Sequence, residues 1–191
     1  MPDYRRAHVP GGTFFFTVVT EDRARFLCNR PARRMLRAAF RECRRRWPFT
    51  IESIVLLPDH LHAIWTLPRG DTDYSRRWAF IKKQFTKAWL ASGGDEQNRS
   101  PSRRNDRRRG VWQRRFWEHT ILDEADFIHH VEYIHFNPVR HGLANCPHDW
   151  ACSSFPRAVR LGRYPMDWAC TCEGQRAPVP GFERIMRTIG E

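Results

Sequence analysis

The apolar positions along the chain change period several times, and each change marks an element. Gly11-Gly12 opens the run Thr13-Phe14-Phe15-Phe16-Thr17-Val18-Val19-Thr20, whose β-branched and aromatic residues predict a strand. Over residues 31–46, Ala32, Met35, Leu36, Ala39, Phe40 and Cys43 recur three and four apart among arginines, the spacing of an amphipathic helix. Pro31 suits its first turn and Pro48 its end. Residues 49–57 and 60–67 predict two strands joined through Pro58-Asp59 as an antiparallel hairpin. Residues 74–91 return to helical spacing through Trp78, Ile81, Phe85, Ala88 and Trp89. The polar, Arg-rich stretch 92–110 predicts a flexible loop, and a fourth strand is expected over residues 119–122. Asp123 can cap a helix that begins at residue 124, with Asp126 in its first turn. Pro138 disfavours helical geometry in the residue before it, which predicts that this helix stops near Asn137.

The resulting order is strand, helix, strand, strand, helix, strand, helix. It predicts an α+β, ferredoxin-like sandwich: an antiparallel sheet with helices on one face and a last, tyrosine-bearing helix near the open face. One domain is expected over residues 1–165, including the basic loop at about 92–110, with an irregular Pro-rich tail over 166–191.

Composition narrows the possible functions. Of 191 residues 41% are hydrophobic and 13% aromatic, enough for a packed core. The formal net charge is +12, and the cations are 30 arginines plus Lys82, Lys83 and Lys87. Such a surface attracts polyanions, nucleic acid first among them. The longest aliphatic run, Ile54-Val55-Leu56-Leu57, is too short to span a membrane, and the N-terminus lacks the apolar core of a signal peptide. The chain is therefore expected to stay inside the cell, in the cytoplasm. Cys28, Cys43, Cys146, Cys152, Cys170 and Cys172 are scattered and read as reduced, mostly buried thiols. Cys170-Thr171-Cys172 lacks zinc-knuckle spacing. A four-thiolate site with Cys146 and Cys152 is the less favoured alternative.

Three groups of residues offer chemistry. His60 and His62 are two apart in a strand, so both point to one side and can reach one divalent cation. Leu61, Ala63 and Trp65 then face the helices, and the histidines face the open side of the sheet. Such a pair alone is weak evidence and is more often a pair of surface or core histidines than a metal site. Tyr133 and Asn137 are four apart on the last helix and share a face. Tyr133 falls about 140° from the centre of the stripe made by Phe127, Val131 and Ile134, which predicts that it is not a core tyrosine. The Asn137 amide oxygen is a hard ligand suited to Mg²⁺ or Mn²⁺. Finally, residues 99–115 hold eight arginines against the single acid Asp106. Arg103, Arg104, Arg107, Arg108, Arg109, Arg114 and Arg115 are candidates for gripping a phosphate backbone. Of the neighbouring Trp112, Phe116 and Trp117, at least two are expected in the core.

Taken together, three strings resemble one family. They are Leu57-Pro58-Asp59-His60-Leu61-His62, Trp112-Gln113-Arg114-Arg115-Phe116-Trp117-Glu118-His119, and Tyr133-Ile134-His135-Phe136-Asn137-Pro138-Val139-Arg140-His141-Gly142-Leu143. They resemble the REP-associated tyrosine transposases of the HUH superfamily. The resemblance covers about residues 4–168. It implies that His60, His62 and Asn137 bind Mg²⁺ or Mn²⁺ and that Tyr133 is the nucleophile. It also implies that the partner is single-stranded DNA folded into hairpins by palindromic repeats, handled by a monomer or a dimer. A 5′-phosphotyrosine would form, and its energy would support rejoining without ATP. Two other classes remain in contention: a non-catalytic hairpin-binding protein or repressor, and a phosphodiesterase that uses water.

Overall fold

In a computed structural model, the described residues are 6–98 and 109–172. Four strands form one antiparallel sheet: β1 (Thr13–Val19), β2 (Thr50–Leu56), β3 (His60–Thr66) and β4 (Trp117–Thr120), in the spatial order β2-β3-β1-β4. The helices are α1 (Arg30–Arg46), α2 (Tyr74–Ala91), α3 (Glu124–Arg140) and the short α4 (Phe155–Arg160). This is the expected ferredoxin-like order.

Alternation along the strands produces two cores. Phe14, Phe16 and Val18 of β1 and Leu61, Ala63 and Trp65 of β3 join α1 and α2 on one face. Trp65 stacks on Trp78 of α2 with ring centroids 4.1 Å apart. On the other face Phe15, Val55 and Ile64 meet Tyr133, Ile134 and Phe136 of α3. This face is therefore closed by α3. Helix starts follow their caps: Asn29 accepts from Ala32 N at 2.8 Å, Asp73 from Arg76 N at 2.9 Å and Asp123 from Asp126 N at 2.8 Å.

Four expectations are corrected. The fourth strand is Trp117–Thr120, because Phe14–Thr17 of β1 pair with these residues, and Leu122 lies 79% exposed beyond the sheet. Helix α3 continues through Pro138 to Arg140. The proline gives up one ladder bond, but His141 N donates to Asn137 O at 3.1 Å and Leu143 N to Pro138 O at 2.9 Å, which close the last turn. Tyr133 is 1% exposed rather than lying on the surface. The stripe of Phe127, Val131 and Ile134 misplaces the buried face, since Phe127 and Val131 are only half-buried and the polar His130, His135 and Asn137 are buried. Finally, Cys146 and Cys170 are in disulfide contact, and Cys152 lies apart from them, taking a hydrogen bond from Arg33 Nη1 at 3.3 Å.

The described ends of the basic loop are tied together. The Arg109 guanidinium pairs with Glu96, Glu96 Oε1 accepts from Gly110 N at 2.7 Å, and Gln97 N donates to Gly110 O at 2.9 Å. A Cβ at residue 110 would lie 2.2 Å from Gln97 O, so the tie needs glycine. Arg103, Arg104, Arg107 and Arg108 lie outside the described residues.

Trp65→Ala removes the ring sandwiched between Phe49 and Trp78 and is expected to lower stability by about 3–5 kcal/mol in urea unfolding. A loss below about 1 kcal/mol would place the centre of the core elsewhere.

Candidate functional site

Strand β3 delivers the two histidines to the α3 face. In the β1–β3 register Thr17 is opposite His62, and Thr17 Oγ1 lies 2.9 Å from His62 Nδ1. His60 Nδ1 lies 2.8 Å from Asp59 Oδ1, and Arg23 Nη1 reaches Asp59 Oδ2 at 3.2 Å. Burial pushes the Asp59 carboxyl up, but the His60 hydrogen bond and charge, together with Arg23, pull it further down, to about 2. Both rings are thus held by Nδ1, and Nε2 is the nitrogen each can turn to a cation. The ring centroids are 5.0 Å apart, and both residues are at most 2% exposed.

Helix α3 lays a matching row over this pair. Tyr133 and Asn137 of the helix and His141 at its C-cap stand at intervals of four, one above another. The Tyr133 ring lies 5.3 Å from His62 and the His141 ring 5.4 Å from His60. Asn137, between them in the row, therefore faces the histidine pair. It is 0% exposed, and neither Oδ1 nor Nδ2 has a hydrogen-bond partner among the described residues. Arg140, seven residues past Tyr133, donates from Nη1 to the phenol oxygen at 3.0 Å. The site thus gathers two imidazoles, a carboxamide and a phenol with a guanidinium on its oxygen.

His119 and His130, two histidines outside the predicted site, share one partner. In the fold, His119 Nε2 lies 2.8 Å from Asp126 Oδ2 and His130 Nδ1 lies 3.0 Å from Asp126 Oδ1, beside Phe15. The i, i+4 spacing of Asp126 and His130 was the available signal; the β4 partner was not. The Arg140–Tyr133 contact was also missed, although two helical turns separate the residues.

A basic groove of about 970 Å³ runs on the opposite, α2 side of the sheet. Of the arginines predicted to grip a phosphate backbone, Arg109, Arg114 and Arg115 line it. So do Arg6, Lys82, Lys83 and Lys87, which means that all three lysines of the chain line this groove. Their clustering at 82, 83 and 87 on one helix is the sequence signal for this surface. Trp112 and Phe116 at the groove floor pack on the first core, and Trp117 packs on Phe15.

No family model matches the chain. A REP-associated tyrosine transposase from Escherichia coli K12 is 44% identical over 88% of this chain and 92% of the relative. The chain belongs to the REP-associated tyrosine transposase family. A Haemophilus influenzae protein carrying the same family name is 40% identical over 87% of the chain and 93% of its own length. Among solved structures, a REP-associated tyrosine transposase bound to a REP hairpin matches with a TM-score of 0.74 at 44% identity, covering 88% of this chain and 92% of that one. The sandwich fold and the transposase class expected from the sequence both stand.

An amide buried without hydrogen bonds costs stability. Asn137→Leu, of similar size, is therefore expected to stabilise the chelator-treated transposase by about 1–2 kcal/mol in urea unfolding. A loss of that size would show that the amide is already satisfied in the metal-free protein.

Proposed function

We propose that this transposase cuts and rejoins single-stranded DNA beside a palindromic hairpin, with Tyr133 as nucleophile and with His60, His62 and Asn137 holding Mg²⁺ or Mn²⁺. The observation that carries the reading is the row of Tyr133, Asn137 and His141 laid over the His60–His62 pair. The residues fit a hard divalent ion: the imidazoles are fixed through Nδ1, and the Asn137 carboxamide is buried and unbonded. When bound, the ion supplies charge compensation and in-line orientation for the scissile phosphate. The solved relative bound to a REP hairpin supports the same class of substrate.

The protein's part in the step follows from its own groups. The Tyr133 oxygen attacks phosphorus; the O–P bond to tyrosine forms as the bond to the 3′ oxygen breaks. The phenol loses its proton, and the 3′ oxygen leaves as a hydroxyl once it gains one. A 5′-phosphotyrosine remains, so the reverse attack by a 3′-OH restores the diester without another energy source. Arg140, in contact with the phenol oxygen, offsets negative charge as the proton departs. Because Tyr133 is 1% exposed, DNA must displace side chains above it, and half-buried Arg140 is the neighbour with room to move. A protein that acts on chromosomal hairpins works in the cytoplasm. The groove lined by Lys83, Lys87, Arg114 and Arg115 is the surface for the phosphate backbone.

The test is a denaturing gel of protein with labelled single-stranded hairpin DNA drawn from beside its own gene, plus Mn²⁺ or Mg²⁺. A labelled protein band is expected, and it is lost with chelator, with Tyr133→Phe and with His62→Ala. Cleavage that survives Tyr133→Phe would replace this reading with a water-using phosphodiesterase. Binding without cleavage or a band would leave a hairpin-binding protein.

The groove makes a separate prediction. Lys87→Ala and Arg115→Ala are each expected to weaken binding to all hairpins alike and to lower the slope of log affinity against log salt by about one. A change confined to one sequence would place these residues at base edges instead.

A further inference from the structure

Outside the transposase site, three side chains from two short segments meet, and a fourth lies against one of them. Cys146 and His148 come from the turn that follows α3, and Cys170 and Cys172 from the described end of the chain. The Cys146 and Cys170 sulfurs are in bonding contact, and Cys172 Sγ lies 3.0 Å from Cys146 Sγ. The ligand atoms of Cys146, His148 and Cys170 all lie within 4.8 Å of one another. The segments are held together independently of the sulfurs: Thr171 donates to Asn145 O from its backbone N at 2.8 Å and from Oγ1 at 3.0 Å. This clamp sets Cys170 and Cys172, on either side of Thr171, against Cys146.

We propose that Cys146, His148, Cys170 and Cys172 form a closed, four-coordinate structural site for Zn²⁺. Three observations favour a metal over a disulfide. First, a disulfide uses two sulfurs, whereas three converge here. Second, His148 is oriented as a ligand: Nε2 lies 2.9 Å from Asp149 Oδ1, while Nδ1 is buried with no hydrogen-bond partner. A carboxylate on one ring nitrogen with the other turned to the ion is the usual arrangement of a metal-bound histidine. Third, three thiolates and an imidazole are a soft donor set that suits zinc and ill suits Mg²⁺. Sulfurs at zinc distance stand about 3.8 Å apart in a tetrahedron, so small side-chain rotations complete the site. Binding releases the three thiol protons and leaves the cysteines reduced. The spacing of one residue between Cys170 and Cys172, unlike that of a zinc knuckle, is workable because the Thr171–Asn145 clamp presents both cysteines to the same turn.

The site would fasten the end of the described chain onto the transposase core. Between its two halves run Phe155, Tyr164 and Trp168, whose rings pack together at 5.1–5.8 Å, and Trp168 and Ala169 pack in the core that holds Tyr133.

Cobalt substitution separates this site from the transposase site, which contains no sulfur. The full chain is reduced, stripped of metal under argon and titrated with Co²⁺. One equivalent is expected to produce a tetrahedral spectrum with thiolate-to-cobalt charge transfer, displaced by one equivalent of Zn²⁺. The charge-transfer band is expected to vanish in Cys172→Ser, weaken and shift in His148→Ala, and persist in Cys152→Ser and His62→Ala. Native protein isolated from cells with an alkylating agent present should carry about one zinc per chain. An intact Cys146–Cys170 disulfide in that protein with no retained zinc, or a cobalt spectrum unchanged in Cys172→Ser, would overturn the proposal. Neither result depends on whether the protein cuts DNA.

Discussion

Strand β3 is the constraint on which the rest of the structure depends. It is hydrogen-bonded on both edges, to β1 and β2, and His60 to Trp65 are all buried. A strand covered on both faces and both edges cannot slip by one residue without exchanging its two faces. Leu61, Ala63 and Trp65 are fixed toward α1 and α2, so His60, His62 and Ile64 must face α3. The two-residue spacing thereby becomes one site. The price is polar surface under a helix, and Thr17 and Asp59 offset part of it by binding the two Nδ1 atoms.

The opposing helix bears a similar conflict. Helix α3 buries His130, His135, Asn137 and Tyr133 with its apolar residues. Protein stability alone would favour apolar side chains there. His135 is at least answered by Ser53 and Ser154, each 3.2 Å from Nε2. Asn137 has no such answer within the described chain. A fully buried amide that the fold leaves unbonded, in a row with the tyrosine, costs stability, and the proposed metal site would account for that cost.

How much of this was legible in the sequence depended on whether each signal was local. Strand and helix positions were, because periodicity and caps such as Asn29, Asp73 and Asp123 act within a few residues. Facing of His60 and His62 followed from alternation alone. The burial of Tyr133 did not, since counting only apolar residues hides a helix face made partly of His130, Asn137 and His135. Extension of α3 through Pro138 was likewise hidden, because the bonds that close the last turn come from His141 and Leu143 beyond the proline. The meeting of Cys146 with Cys170 and Cys172 depends on a contact made by Thr171 across 26 residues, and spacing cannot reveal it.

The layering also constrains how the proposed reaction handles its DNA. Lys83, Lys87, Arg114 and Arg115 lie on the α2 side of the sheet, whereas Tyr133 and the histidines lie on the α3 side. A four-stranded sheet with a packed core on each face offers no passage through its middle. DNA gripped in the groove can therefore reach the tyrosine only around an edge. The groove residues run directly into β4, and β4 is an edge strand. Its Trp117 and His119 point to the α3 face, while Glu118 points back to Tyr74 and Arg6 at the groove. An unpaired strand is flexible enough to round that edge; a duplex, with a persistence length of about 50 nm, is not. On the proposed function, a stem held on one face and a single strand cut on the other follows from the fold, and a hairpin with an adjoining unpaired segment is the form of DNA that meets both demands.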